Sequence, residues 1–354
     1  MTKWKVVGIN FDHMHMGDLL RMVHEHTNAE IVGICDADPT RMEAVISNFN
    51  IPNTSVFSDL DECMLQTKPD LVIVCPAPKD HADYVERVAK YDCAILVEKP
   101  FAANLADADR MIQSTKNKIL AINWPLAWYP PHVTVKRLLN EGLIGEVVEI
   151  HFYDGNRGPL YHLADKKENI PTSQEKQNSW WYSSEAGGGS LLDYLGYGAT
   201  LGTWYQNGLA PIEITTTLGG DPNLRVDEHS ITVARYKHGL SKFETRWGTF
   251  TDPWNTQPLP KCGFVVVGTD GAMSSYDFED HVTVQTRSQP EAYEIPIDTL
   301  AANAADPVAY VLHCLETGTP ITGPLDPKLC RIGQQIVDTA IFSAKEKRTV
   351  ELLK

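Results

Sequence analysis

Two short segments carry the residue types that acid–base chemistry needs. The first is Val97-Glu98-Lys99-Pro100, at the end of an apolar run, and the second extends from Gly187 to Tyr197. Pro100 ends the strand at a point where the carboxyl edge of a parallel sheet faces a ligand crevice. On a helix, Asp193 and Tyr197 share one face, whereas Tyr194 points away by about 100°. Lysine, aspartate and tyrosine can all exchange a proton with a substrate.

A turn suited to a dinucleotide follows the first apolar run. Gly8, Asn10 and His13 occupy the three glycine positions of a G-x-G-x-x-G pattern. Asparagine tolerates positive φ best among non-glycine residues, so the tight turn can persist at Asn10. The backbone N–H groups of this turn, including that of Phe11, would meet a pyrophosphate, and Asp12 is expected to N-cap the next helix.

The second apolar run ends in a carboxylate, Asp36, placed to accept hydrogen bonds from an adenosine ribose. This carboxylate favours NAD, because it would repel the 2′-phosphate of NADP, while Arg41 keeps NADP open as an alternative. The alternative is that these residues have no role in binding or catalysis. In that case Gly8 forms an ordinary turn, and Asp36 and Lys99 are solvated residues at strand ends.

The elements that must position these residues fall into two parts. Residues 1–125 alternate short apolar strands with helical patterns, which predicts a doubly wound parallel sheet of Rossmann type. Residues 126–354 predict an α+β domain built on a large, mostly antiparallel open sheet, with helices at 190–205, 307–315 and 327–345. Residues 156–186 read as a long polar loop, a length that is usually functional or mobile.

Composition excludes several classes of protein. A net charge of −15 argues against nucleic acid or an anionic membrane as partner. Seven cysteines without C-x-x-C spacing, no apolar stretch of about 20 residues and no signal-peptide pattern after Met1 favour a cytoplasmic protein with free thiols. His13 and His15 would face apart on a helix, so no metal is expected.

The chain resembles the glucose–fructose oxidoreductase / inositol dehydrogenase / MocA (Gfo/Idh/MocA) family over nearly its whole length. The resemblance is carried by the following segments: Asp36, Glu98-Lys99-Pro100, Gly142-x-x-Gly145-Glu146, Gly187–Asp193 and Ser343-x-Lys345…Val350-Glu351. It implies a nicotinamide-binding Rossmann domain and a second domain that holds the substrate and often builds homodimers or homotetramers through its sheet. The implied chemistry is reversible hydride transfer to or from a hydroxyl-bearing carbon of a sugar, inositol or related small molecule.

Matched by position, Lys99 is the catalytic lysine that the resemblance implies and Asp193 the active-site aspartate. Tyr197 stands where many members have a histidine acid–base, as in the tyrosine branches of the family. His81 matches a histidine after the fourth strand, and the implied cofactor site includes Pro76, Ala77, His81 and Glu98. The loop before His81 reads Pro76-Ala77-Pro78 instead of the usual Thr-Pro-Asn.

A tyrosine base needs help, because its unperturbed pKa is about 10; a neighbouring ammonium such as that of Lys99 favours the phenolate. The competing interpretation of Tyr197 is a core aromatic on an apolar helix, in which case Tyr161 and His162 are the next acid–base candidates. Aromatic and histidine side chains near a sugar site offer substrate contacts, with core packing as the equal alternative; these candidates are Trp124, Tyr161, His162 and Trp181.

Two other functions remain open on the same fold. One is an NAD-dependent glycosidase or lyase that oxidises one carbon transiently and then reduces it again. The other is a non-catalytic ligand sensor. The altered glycine pattern supports this alternative, whereas the joint presence of Lys99, Asp193 and Tyr197 argues against it.

Overall fold

The computed structural model describes residues 3–354 of the chain. Met1 and Thr2, part of the stretch used above to argue against a signal peptide, lie outside the described residues. The described residues form two compact units: one comprises residues 3–123, 162–170 and 301–327, and the other comprises 124–161, 171–300 and 328–354. Two segments that the sequence assigned to the second domain, 162–170 and 301–327, thus pack with the first unit.

The first unit contains a six-stranded parallel sheet in the order β3-β2-β1-β4-β5-β6. Its strands are β1 (Trp4–Ile9), β2 (Ala29–Cys35), β3 (Val56–Phe57), β4 (Leu71–Val74), β5 (Ala94–Glu98) and β6 (Leu120–Asn123). The helices between β1 and β6 in the chain are α1 (His15–Glu25), α2 (Glu43–Phe49), α3 (Leu60–Thr67), α4 (His81–Val88) and α5 (Leu105–Ser114). This strand order is that of dinucleotide-binding folds, and the predicted doubly wound sheet is confirmed.

The central strands of this sheet are apolar because both of their faces are covered by helices. Every residue of β4 and β5 is buried, including Glu98 at the carboxyl end of β5. The strand order reverses between β1 and β4, so the loops that follow these two strands border the crevice where ligands of open α/β sheets bind.

The second unit is built on a nine-stranded sheet in the order β14-β13-β12-β11-β7-β10-β9-β8-β15. Its strands are β7 (Val147–Asn156), β8 (Glu213–Gly219), β9 (His229–Tyr236), β10 (Gly239–Trp247), β11 (Gly263–Gly268), β12 (Gly271–Tyr276), β13 (His281–Thr286), β14 (Tyr293–Pro296) and β15 (Val350–Glu351). The remaining helices of the chain are α6 (Pro130–Asn140), α7 (Ser173–Asn178), α8 (Ser190–Tyr205), α9 (Pro307–Thr317) and α10 (Pro327–Glu346), of which α9 belongs to the first unit.

The predicted mostly antiparallel sheet is confirmed, with β7 and β10 as its parallel pair. Helix α8 has the predicted bounds and lies in the core of the second unit, with almost every side chain buried. Close packing explains its glycines: a Cβ on Gly196 would lie 2.5 Å from the Trp124 ring, and one on Gly198 would lie 2.4 Å from Phe152.

All seven cysteines are free, as predicted, and all seven are buried. Among residues 3–354, no helix combines the length and the apolar character that crossing a bilayer requires.

Candidate functional site

The turn after β1 keeps the first glycine of the dinucleotide pattern, Gly8, and has Asn10 and His13 at the other two glycine positions. Asn10 has a φ of +63°, as predicted for an asparagine at the second glycine position. Its side-chain Oδ1 accepts a hydrogen bond from Asp12 N at 2.8 Å, which closes the turn locally. Asparagine therefore replaces glycine here by stabilising the left-handed conformation with its own side chain.

Asp36 is linked directly to this turn. Its carboxylate accepts hydrogen bonds from Phe11 N at 2.7 Å and from Asp38 N at 2.8 Å. The predicted ribose acceptor is therefore oriented by backbone donors, and a carboxylate can accept further hydrogen bonds beyond these two. Arg41 lies beside it, 4.0 Å from Asp36 Oδ1, but it pairs with Asp12.

The expectation that Asp12 caps α1 is wrong. The helix begins at His15, its N-cap is Met14, and no side chain makes a capping hydrogen bond there. The Asp12 carboxylate instead binds Arg41 and accepts a hydrogen bond from Ala77 N at 3.2 Å. Asp12 thus ties the loop after β1 to the loop after β4.

The loop after β4 is held by His81, the first residue of α4. The two ring nitrogens of this buried histidine lie 3.1 Å from the carbonyl oxygens of Phe101 and Pro76. Burial lowers the pKa of His81, which keeps the imidazole neutral, so that it donates a hydrogen bond to one of these carbonyls. His81 therefore lies against the backbone of Pro76, a residue of the implied cofactor site, whereas Ala77 is bound by Asp12.

Glu98 and Lys99 lie at the carboxyl end of β5, where the sequence placed them. The Glu98 side chain is fully buried and accepts hydrogen bonds from Asn123 Nδ2 at 2.7 Å and from His15 Nδ1 at 2.7 Å. Lys99 is only 4% exposed. Its ammonium is near enough to His13 to lower the pKa of that imidazole, after the larger effects of burial and of His15.

The premise that His13 and His15 face apart is wrong. His13 precedes α1 in a turn, and its ring centroid lies 4.3 Å from that of His15. One ring nitrogen of each histidine and a carboxylate oxygen of Glu98 all lie within 4.8 Å of one another. Because α1 begins at His15, the helical spacing that would separate the two imidazoles does not apply to His13.

In the second unit, Asp193 is oriented by an indole. Asp193 Oδ2 accepts a hydrogen bond from Trp247 Nε1 at 3.0 Å, and both residues are buried. Trp247 ends β10, whereas Asp193 lies in the first turn of α8. The strand end thus positions the carboxylate that the resemblance implies for the active site.

Tyr197 lies one turn further along α8, and its ring is buried. The ring meets that of Trp124 edge-on, with centroids 5.3 Å apart. Trp124 is 1% exposed and donates a hydrogen bond from Nε1 to Cys330 Sγ at 3.3 Å. Packing explains the burial of Trp124, and its contact with a substrate stays a prediction, as does the acid–base role of Tyr197.

Tyr194 belongs to a cluster of buried acidic groups in the second unit. Burial raises the pKa of Tyr194 well above its usual value, and the charges of Asp193 and Asp154 add to this effect. Burial also raises the pKa of Asp154, with further contributions from Asp277 and Asp193. A phenol in this environment stays protonated.

The long loop carries the other predicted substrate residues. The Tyr161 ring lies between two cations, with Lys176 Nζ 5.0 Å and the Arg157 guanidinium 5.5 Å from its centroid. Trp181 is buried, and its ring stacks on that of Trp180, with the ring centroids 3.8 Å apart. His162 is in the first unit and pairs with Glu168 in an isolated β-bridge.

Three residues that position predicted site residues were not identified from the sequence: His15, Asn123 and Trp247. Asn123 was detectable in principle, because it is the last residue of a strand next to β5 and follows an otherwise apolar run. Trp247 gave no signal, because its partner Asp193 lies 54 positions earlier in the chain.

Comparisons with known proteins agree with this architecture. Residues 2–122 match the model of the oxidoreductase family with an NAD-binding Rossmann fold, and residues 132–274 match the GFO/IDH/MocA C-terminal domain. A D-apiose dehydrogenase of Rhizobium rhizogenes is 31% identical over 120 residues, which are 33% of this chain and 34% of that protein. The matched region spans about a third of the length of such curated relatives.

Solved structures match over the full length of the chain. The aldose-aldose oxidoreductase of Caulobacter crescentus has a TM-score of 0.80 at 17% identity, with 99% of this chain and 100% of that chain covered. A levoglucosan dehydrogenase in complex with NADH has a TM-score of 0.77 at 17% identity, with both chains covered completely. At these identities, the likeness shows a shared fold.

Proposed function

Because the chain belongs to the Gfo/Idh/MocA family of oxidoreductases, we propose that it transfers a hydride between NAD and a hydroxyl-bearing carbon of a sugar, polyol or related compound. The observation that carries the proposal is the buried Lys99 at the carboxyl end of β5, in a sheet that matches the NAD-binding model. The dehydrogenase names of several relatives point the same way.

The residues around the turn after β1 fit a dinucleotide. Asn10 holds the left-handed conformation that brings backbone N–H groups to the start of α1, where a pyrophosphate is favoured. Asp36, fixed by Phe11 N, would accept hydrogen bonds from the ribose hydroxyls. When bound, NAD supplies the acceptor for the hydride.

Side chains of the protein would transfer the proton of the reacting hydroxyl. We assign Lys99 the role of donating a hydrogen bond to the reacting oxygen, and Tyr197 that of taking or giving its proton. Asp193, held by Trp247, would accept a hydrogen bond from a substrate hydroxyl or from an ammonium. Trp124, Tyr161, His162 and Trp181 remain the candidate substrate contacts.

The test is steady-state reduction of NAD with a panel of sugars and polyols, for the wild-type protein and for Lys99→Met. At least one substrate should support turnover by the wild type, and Lys99→Met should retain less than about a tenth of that kcat, since positioned acid–base groups contribute about 10²–10⁴-fold. Normal turnover by the variant would remove Lys99 from the mechanism.

Two further proposals concern the oligomeric state and the location of the protein. Apolar side chains stand exposed on the outer face of β9 and β10, among them Ile231, 40% exposed, Val233 and Leu240, and this supports a homodimer or homotetramer formed through the sheet. Seven free thiols support a cytoplasmic location.

A further inference from the structure

A compact group of three metal-ligating side chains lies beside the cofactor turn. His13 belongs to the turn before α1, His15 is the first residue of α1, and Glu98 ends β5. The side chains of His13 and Glu98 are almost completely buried, and that of His15 is 20% exposed. One nitrogen from each imidazole and one oxygen of Glu98 lie within 4.8 Å of one another.

We propose that His13, His15 and Glu98 bind one divalent transition-metal ion of the zinc class. Two imidazoles and one carboxylate are the donor set of zinc sites that keep a position open for water or another ligand. The partial exposure of His15 leaves one side of the group accessible for that position.

The distances need small adjustments to reach coordination geometry. Bonds of about 2.0–2.1 Å to a tetrahedral ion place ligand atoms about 3.3 Å apart. His15 Nδ1 is 2.7 Å and His13 Nε2 is 4.0 Å from Glu98 Oε1, so shifts on the order of 1 Å suffice.

Binding of the ion would keep some of the hydrogen bonds around His13, His15 and Glu98 and break others. Asn123 Nδ2 holds the second oxygen of Glu98 at 2.7 Å and would remain in place as support for this ligand. Coordination through His15 Nδ1 moves the ring proton, which Nδ1 now donates to Glu98, to Nε2, so that a neutral imidazole binds the ion. Coordination through His13 Nε2 moves the ring proton to Nδ1 and releases the bond that Nδ1 accepts from His15 N. That N–H group is at a helix N-terminus, where water can replace the lost acceptor.

The experiment titrates the chelator-treated full-length protein with Co²⁺, followed by its visible ligand-field bands, and then displaces Co²⁺ with Zn²⁺. We expect one ion per chain. His15→Ala and Glu98→Gln should each weaken Co²⁺ binding by at least about tenfold. Circular dichroism and urea unfolding verify that both variants fold.

A matched control is available at the surface. His281 is partly exposed and lies within 4.0 Å of carboxylate oxygens of Glu279, Asp280 and Glu294, so this group offers the same types of ligand outside the proposed site. His281→Ala should leave the stoichiometric site intact. Failure of the wild type to bind one Co²⁺, or binding that survives His15→Ala and is lost in His281→Ala, would overturn the proposal. Because the readout is binding, the result is independent of the oxidoreductase activity.

Discussion

Replacing Asp36 with alanine should change cofactor preference more than any other single substitution in the first unit. Its carboxylate is oriented by Phe11 N and Asp38 N at the end of β2, with one oxygen 4.0 Å from Arg41. If it accepts hydrogen bonds from the adenosine ribose, Asp36→Ala weakens NADH binding. The same change removes a negative charge from the place where the 2′-phosphate of NADPH would lie.

The size of the effect follows from these contacts. A hydrogen bond to a charged group contributes about 1.5–3 kcal/mol, so the Kd for NADH should rise by about 10- to 150-fold. A carboxylate about 4 Å from a phosphate charge repels it by about 1 kcal/mol in water and about 4 kcal/mol near a protein surface. The affinity ratio of NADPH to NADH should therefore increase by at least about tenfold.

Fluorescence titration with NADH and NADPH measures both affinities without knowledge of the substrate. Asp38→Ala is the matched control, because it removes a neighbouring exposed carboxylate that caps the turn at Thr40. The control should leave the ratio nearly unchanged. An unchanged ratio in Asp36→Ala, in a variant whose unfolding transition is intact, would refute the ribose assignment.

Three further substitutions test individual residues. Tyr197→Phe should lower kcat by at least about tenfold while the Kd for NADH stays the same, because only the phenol oxygen is lost; full activity would leave the ring a packing role. Trp247→Phe removes the donor to Asp193 and should lower the free energy of unfolding, measured with urea, by about 1.5–3 kcal/mol; an unchanged free energy would contradict this role of the indole. In His81→Asn, the free energy of unfolding should depend less on pH than in the wild type. The pKa of His81 in the folded protein lies below the unfolded value of 6.5. The stability that neutral His81 contributes is therefore present above pH 6.5 and declines as the pH falls below that value. The difference between the unfolding free energies of wild type and His81→Asn should shrink by up to about 1.3 kcal/mol from pH 7.5 to 5.5, and a constant difference would contradict a neutral His81.

The sequence predicted those elements whose pattern is local. Continuous apolar runs such as Leu71–Val74 identified the parallel sheet, since only strands covered on both faces lack polar positions. Helix α8 was predicted with its correct bounds, because glycines precede it and apolar residues fill it. The left-handed conformation of Asn10 followed from its residue type.

Elements that depend on distant partners were missed. Strand β12 has few β-branched or aromatic residues in Gly-Ala-Met-Ser-Ser-Tyr and is defined by its pairing with β11 and β13. The start of α1 was placed too early because Asp12 has the residue type of an N-cap, whereas its carboxylate binds Arg41 and Ala77 N. The proximity of His13, His15 and Glu98 depends on that later start and could not be inferred from spacing.

Net hydride transfer from a sugar or polyol to NAD is tested most directly by isotope transfer. The wild-type protein is incubated with NAD and a substrate deuterated at its carbinol carbons, and deuterated NADH and oxidised product are quantified by mass spectrometry. One deuterated NADH should form for each molecule of oxidised product, and neither should form with Lys99→Met. Cleaved substrate without NADH accumulation would instead indicate transient internal oxidation, and the absence of both products across the panel would contradict the proposed activity.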